Sequence, residues 1–215
     1  MKNSCWQTLC GEMVNEMNDA SKNVRRRGDA LIESIYNATI ELIKKVGYTN
    51  LTFQQIAHAA KTSRTVLYRR WNTKFDLIHE IMEYKTKNAL GGELIDKIED
   101  TGSLRGDLLQ LLTLYQSIYT EGGLEIMNAI LFEIGQDSEK LSKIETNARN
   151  KNILVMRKLL GFAKNRGEKI KEVSDATLTL PFDLIRVENL LRRETMDAKR
   201  LELLVDEILL PVFLA

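Results

Sequence analysis

The chain has 215 residues, 44% of them apolar, which suffices for a sizeable core in one or two domains. A formal net charge of +1, only two prolines and apolar positions at helical spacing favour an all-helical protein. No apolar run is long enough to span a bilayer, and Cys5 and Cys10 are too few for a secreted disulfide scaffold. The first residues lack the uninterrupted apolar core of a signal peptide, so a cytoplasmic location and no membrane partner are expected.

The near-neutral total conceals an asymmetry. Between Val24 and Lys74, ten basic residues stand against three acidic ones, so the remainder of the chain is net acidic. Segregation of this kind is the electrostatic footprint of a nucleic-acid-binding end.

Residues 1–23 read as a poorly ordered or loosely helical extension, in which Met13 and Met17 leave a different translation start open. Arg25, Arg26 and Arg27 precede a first helix predicted over Asp29 to Val46. Its inward stripe is expected to be Ile35, Thr39, Leu42 and Val46, with Ala38 and Ile43 beside it. Gly47 stands where a left-handed residue stops the helix.

The second helix begins with a predicted capping box, Thr52 with Gln55, and a hydrophobic staple, Leu51 with Ile56. Small residues at Ala57, Ala59 and Ala60 let a neighbouring helix approach. Lys61 and Thr62 make a turn, and Ser63 caps a third helix on which Leu67 and Trp71 share the inner face. Thr73 caps a fourth helix through Leu77, Ile78 and Ile81 to about Ala89. Beyond Gly91-Gly92, helical segments are predicted over Glu93–Asp100, Leu104–Thr120, Leu124–Gly135, Ser138–Asn165, Leu180–Arg193 and Ala198–Leu214.

A helix in the DNA major groove needs base-reading side chains near its N-terminus and phosphate donors around them. Arg64 suits bidentate contact to guanine, and Thr65 suits base edges or a thymine methyl. Tyr68, Arg69 and Arg70 lie further along, where the groove wall brings phosphates close, and Gln54 faces the same side. Lys74 starts a helix, where the macrodipole disfavours a cation by ~0.3–1 kcal/mol. A phosphate bound there would reverse that cost.

Gly47-Tyr48, Leu51-Thr52, Ile56-Ala57, Ala60, Ser63, Leu67-Tyr68-Arg69-Arg70-Trp71 and Thr73-Lys74 with Leu77 together resemble the N-terminal domain of the TetR family of transcriptional regulators. The detailed match runs from about Ile35 to Ile81; beyond it the similarity is one of layout. The resemblance implies an all-α protein. Residues 24–75 would form a three-helix helix-turn-helix DNA-binding domain, and 76–215 a helical domain for effector binding and dimerisation. It further implies a homodimeric repressor released from its operator by a small molecule, with no cofactor. By position, Gln54, Arg64 and Thr65 would approach bases, while Thr52, Ser63, Tyr68, Arg69, Arg70 and Lys74 would hold phosphates. Arg25 to Arg27 would track the backbone or minor groove. Two positions depart from the family pattern. Lys61 and Thr62 replace the usual glycine and apolar residue of the turn, so Lys61 is expected at a positive φ and as a further phosphate contact. Thr65 replaces the usual glycine of the recognition helix.

A symmetric operator with half-sites ~34–36 Å apart requires a symmetric protein. The last two helices are the candidates for the dimer interface, through Phe182, Ile185, Leu190 and Leu191 on one and Leu201, Leu204, Val205, Ile208 and Leu209 on the other. The alternative is that these stripes are internal core. A small-molecule pocket is expected among the middle helices, lined by Tyr115, Ile118, Tyr119, Met127, Ile130, Leu131, Phe132, Met156 and Phe162, which also suit plain core. Two rival readings stay open: a constitutive regulator whose C-terminal domain only dimerises or docks a protein, and a helical enzyme. Against the enzyme, no nucleophile-base-carboxylate set, phosphate-binding glycine loop or metal-ligand spacing is present.

Overall fold

The computed structural model describes residues 28–136, 138–192 and 196–215. The extension 1–23, Cys5, Cys10 and Arg25, Arg26 and Arg27 lie outside the described residues. The chain divides into two compact units, Met1–Asn72 and Thr73–Ala215, three residues before the expected boundary.

In the first unit, α1 is helical over residues 28–46, followed by α2 (Phe53–Ala59) and α3 (Arg64–Arg70). The buried stripe of α1 is Ile35, Tyr36, Thr39 and Ile43, whereas Leu42 and Val46 are only partly buried. The expected stripe was thus rotated by a fraction of a turn, because the ring of Tyr36 packs inward against Trp71 at 6.4 Å. Thr39 is tolerated in the core because its hydroxyl donates to the Ile35 carbonyl at 2.7 Å. Gly47 takes φ 77° and ends the helix as its sequence position required.

The start of α2 carries the predicted capping box. Thr52 Oγ1 accepts from Gln55 N at 3.2 Å, and Gln55 Oε1 accepts from Thr52 N at 2.8 Å. Leu51 and Ile56, the staple pair, are both buried, as are Phe53, Ala57 and Ala60, while Ala59 is exposed. The helix ends in a Schellman motif: Thr62 N donates to the Ala57 carbonyl at 2.9 Å and Lys61 N to the His58 carbonyl at 3.2 Å. Lys61 sits at its left-handed position with φ 51°, and among the described residues no other non-glycine has positive φ.

The second unit comprises α4 (Lys74–Leu90), α5 (Leu94–Lys97), α6 (Leu104–Gly122), α7 (Leu124–Ile134), α8 (Ser138–Asn165), α9 (Asp175–Leu178), α10 (Leu180–Val187), α11 (Ala198–Leu203) and α12 (Leu210–Phe213). Two wide-turn segments, Glu188–Arg192 and Leu204–Leu209, continue α10 and α11. The second precedes Pro211, which has no N–H to offer the preceding turn, and the Leu210 N–H reaches back five residues to Val205. The segment α9 is too short to leave a periodic signal, which is why the sequence did not show it, whereas α5 falls inside the segment expected over Glu93–Asp100.

Helix α6 is central, packing on α4, α7, α8, α10 and α11. Leu104, Leu108, Leu111 and Leu112 from α6 share a core with Met156, Leu159, Phe182, Ile185, Leu204, Val205 and Phe213. Polar groups fix the register of this core. Asp107, fully buried, accepts from Thr101 N and Oγ1 at 2.8 and 2.7 Å and from Arg166 Nη2 at 2.6 Å. Arg166 also pairs with Asp100 and Glu168, and Glu168 in turn accepts from the first N–H of α6, that of Leu104. The start of α6 is thereby tied to the end of α8. The chain end is held by Lys171 N on the Phe213 carbonyl and Ala215 N on that of Lys169, both at 2.9 Å. No helix among the described residues is long and apolar enough to cross a membrane.

Candidate nucleic-acid interface and effector cavity

The recognition candidate is α3. Its N-terminus is fixed by Ser63, whose Oγ accepts from Val66 N at 3.3 Å. Leu67 and Trp71 face inward at 0% and 1% exposure and lock the helix to the unit. Arg64, Thr65, Tyr68, Arg69 and Arg70 on the same helix are all exposed. Tyr68 is 57% exposed, yet its ring stands edge-on to Phe53 at 4.9 Å. Phe53 was not singled out from the sequence; it holds the Tyr68 phenol in an outward pose. Arg70 stacks over Trp71 at 5.4 Å from the ring centre, so the core aromatic orients a surface cation. Gln54 is exposed on α2, and Lys61 on the turn between the helices.

Two of the candidate phosphate-holders have structural duties too. The hydroxyls of Thr52 and Ser63 cap helices, with Thr52 Oγ1 also 2.9 Å from Gln55 Oε1. Lys74 opens α4 in the second unit, partly buried beside a second capping box. There Thr73 Oγ1 accepts from Asp76 N at 3.2 Å and Asp76 Oδ2 accepts from Thr73 N at 2.9 Å. The acid at Asp76 already complements the helix dipole, so the cost assigned to Lys74 at that position is offset locally.

The second unit encloses two cavities that adjoin. One, of about 610 Å³, is lined by Tyr115, Tyr119, Met127, Ile130 and Leu131 together with His79, Met82, Arg149, Asn152, Thr179, Asp183, Arg186 and Leu190. The other, of about 520 Å³, is lined by Ile118 with Leu90, Leu94, Ile95 and Val155, among others; Met82, Tyr115, Ala148 and Asn152 border both. Six of the nine expected pocket residues therefore line cavity. The other three do not. Met156 is fully buried in the core, Phe162 packs against that core with Lys158 5.8 Å from its ring, and Phe132 is 45% exposed on α7.

The cavity's polar end was missed. Asp183 and Arg186, three apart on α10, pair at 2.5 Å, and Thr179 Oγ1 donates to Asp183 at 3.0 Å. The available signal was this charged pair beside the apolar stripe Phe182–Ile185. Burial raises the Tyr119 hydroxyl well above the usual phenol range, with Tyr115 adding to the effect. Burial works against the Arg186 charge, but Tyr115, Tyr119 and Asp183 outweigh it and hold the guanidinium protonated. Tyr115 stands edge-on to both Tyr119 and Phe182, at 5.7 and 4.9 Å.

The expected dimer residues need correction. Phe182, Ile185, Leu201, Leu204, Val205 and Leu209 are at most 5% exposed within the protomer and belong to its own core. Leu190 is partly buried and borders the cavity. Of the nine, Leu191 and Ile208 are exposed, and Val187 and Leu203 join them as outward apolar residues. The sequence stripes were internal because α6 runs against both terminal helices and takes their most apolar faces.

An exposed, cationic helix held by a capped helix and a tight turn, followed by a separate helical unit with an interior cavity, defines a helix-turn-helix DNA-binding protein with a second helical domain. Family comparison gives the same class. The model described as "Bacterial regulatory proteins, tetR family" matches residues 35–81, and that described as "Tetracyclin repressor-like, C-terminal domain" matches residues 98–208. The chain belongs to the TetR family of DNA-binding transcriptional regulators.

Among relatives, the DNA-binding transcriptional repressor TetR of Mycobacteroides abscessus is 29% identical over 83 residues, 39% of this chain and 41% of that protein. This chain thus matches about two fifths of that relative's length. An uncharacterized HTH-type regulator of Mycobacterium tuberculosis is 25% identical over 176 residues, 80% of this chain and 83% of the relative. In fold, the chain is similar to Salmonella enterica GusR, with TM-score 0.63 and 16% identity over 84% of this chain and 95% of that one. It is also similar to SmeT in its complex with triclosan, with TM-score 0.58 and 16% identity over 86% and 92%.

Proposed function

We propose that this regulator is a homodimeric repressor that binds a palindromic operator and leaves it when a small, largely apolar molecule fills the cavity of the second unit. The observation that carries the reading is the surface of α3: Leu67 and Trp71 are buried, while Arg64, Thr65, Tyr68 and Arg69 are all exposed. Arg64 and Thr65, in the first turn, read base edges with Gln54, while Tyr68, Arg69, Arg70, Lys61 and Lys74 grip phosphates. The relatives are named as transcriptional regulators, a non-enzymatic role. Such a protein works where the DNA is, in the cytoplasm.

Support for the effector comes from the cavities and from the triclosan complex of SmeT, a protein of the same fold. Support for the dimer comes from the outward apolar residues Val187, Leu191, Leu203 and Ile208 on the terminal helices. Selection of bound DNA from a random pool tests the reading. A palindrome with half-sites about one helical turn apart, ~34–36 Å, is expected. A single asymmetric site would remove the homodimer, and no enriched sequence would remove sequence-specific recognition. The second reading, a constitutive regulator, is separated by screening apolar compounds for both thermal stabilisation and release of the selected DNA.

A further inference from the structure

The two cavities differ in chemistry, and that difference selects a ligand class. We infer that the effector is an apolar organic acid, its carboxylate seated against Arg186 and its apolar body extending toward Ile118 and Val155. This rests on the reading of the cavity as an effector site.

The larger cavity gathers donors. Arg186, Arg149, Tyr115, Tyr119 and Asn152 line it, and among its described lining residues Asp183 is the one carboxylate. That carboxylate is occupied: it accepts from Arg186 Nη1 at 2.5 Å and from Thr179 Oγ1 at 3.0 Å. Among the described lining residues, a ligand cation entering here meets two guanidiniums and an acid already paired. A ligand carboxylate meets the Arg186 guanidinium, which holds Asp183 through Nη1, together with Arg149 and neutral amide and hydroxyl donors. Asp183 orients the Arg186 guanidinium, as a capping partner does, while Arg149 keeps the net charge of the lining positive. Tyr119 stays a neutral hydroxyl, so it adds a donor and no competing charge.

The smaller cavity does not compete for the head group. Its charged residues balance, Lys87 and Lys151 against Glu83 and Glu93, and Lys151 lies 3.6 Å from Glu93. Its remaining lining is mostly apolar, with Leu90, Leu94, Ile95, Ile118 and Val155 beside Thr86, Tyr115 and Asn152. Tyr115 and Met82 border both spaces, so one molecule can occupy the two ends. An uncharged head gains hydrogen bonds from these donors but no ionic attraction to the two guanidiniums, and a charge-assisted bond is about twice as strong as a neutral one, which is why charge and not polarity alone is selected.

The test is calorimetric titration of the full chain, below micellar concentrations, with two matched pairs of probes: dodecanoate against dodecanol, and naphthoate against naphthol. Displacement of the neutral dye Nile red gives an independent readout of the cavity. At least one acid is expected to bind tenfold or more tightly than its neutral partner. Arg186→Gln, confirmed as folded by its helical circular dichroism, is expected to erase that preference. Equal binding of acid and neutral partner in both pairs overturns the acid head group and leaves the cavity reading standing. An acid preference that survives in Arg186→Gln overturns the seat assigned to Arg186. Failure of all four probes and of Nile red to bind overturns the effector cavity itself, and the head-group inference with it.

Discussion

Gln116 and Asn189 clasp each other inside the second unit. Gln116 Nε2 donates to Asn189 Oδ1 at 2.9 Å, and Asn189 Nδ2 donates back to Gln116 Oε1 at 2.7 Å, with both residues buried. Asn189 also donates to the Ile185 carbonyl at 2.8 Å, inside the wide-turn segment that follows α10. The pair joins the central helix to the segment that places Arg186 and Leu190 at the cavity. Gln116→Leu strands the Asn189 oxygen without a donor and is expected to cost about 1–3 kcal/mol. The double change Gln116→Leu with Asn189→Leu should cost less than the two single changes together. Urea unfolding of the four species measures this coupling, and strict additivity would show that the clasp contributes nothing.

Lys61 occupies the left-handed position of a Schellman motif that glycine fills at no steric cost. Lys61→Gly relieves that strain and is expected to raise stability by up to about 1 kcal/mol, read as a higher Tm. If Lys61 touches phosphate, the same change weakens binding to every DNA sequence and lowers the salt slope by about one. Stability and affinity would then move in opposite directions, which a purely structural lysine would not produce.

Arg64 and Lys74 should differ in kind. Arg64→Ala is expected to cost about 1–3 kcal/mol on the selected operator and to relax preference at one base position. Lys74→Ala should weaken all sequences alike and reduce the salt slope by about one. Binding isotherms at several salt concentrations, on the operator and on a scrambled duplex, distinguish the two. Wild-type binding by both variants would disprove the recognition assignment.

Leu191 is 76% exposed and Ile208 37%, on the two terminal helices. A glutamate at either costs the protomer's core little, because neither side chain lies inside it. Leu191→Glu with Ile208→Glu is therefore expected to leave the thermal transition of the fold in place while lowering the mass measured by light scattering to that of one chain. An unchanged mass would move the dimer interface elsewhere.

The elements of the first unit were legible because their signals are local. The Thr52–Gln55 capping box, the Gly47 stop and the positive φ of Lys61 each depend on a few consecutive residues. The limits of α8, Ser138–Asn165, were readable too, since polar and glycine-bearing segments flank a long helical period. The stripe of α1 was not fixed in rotation, because Tyr36 and Leu42 are equally acceptable inward residues until Trp71 is positioned.

The sequence by itself determined the inward anchors of α3, Leu67 and Trp71. Once Leu67 and Trp71 are inward, the helical period turns Thr65 and Arg69 outward, whereas Arg64 and Tyr68 share the side of Leu67 and Trp71 and stay exposed because Arg64 opens the helix and the Phe53 ring stands under Tyr68. Only the tertiary structure decided the fate of the terminal helices and the cavity. Phe182, Ile185, Leu204 and Val205 are apolar enough to face either a partner or their own core, and α6 claims them for the core. Arg186 reads in the sequence as an ordinary surface cation. Its role at the cavity depends on Tyr115 and Tyr119, some seventy residues earlier in the chain, being folded against it. Helical period acts over a few residues, whereas a cavity is defined by which distant elements fail to fill the space between them.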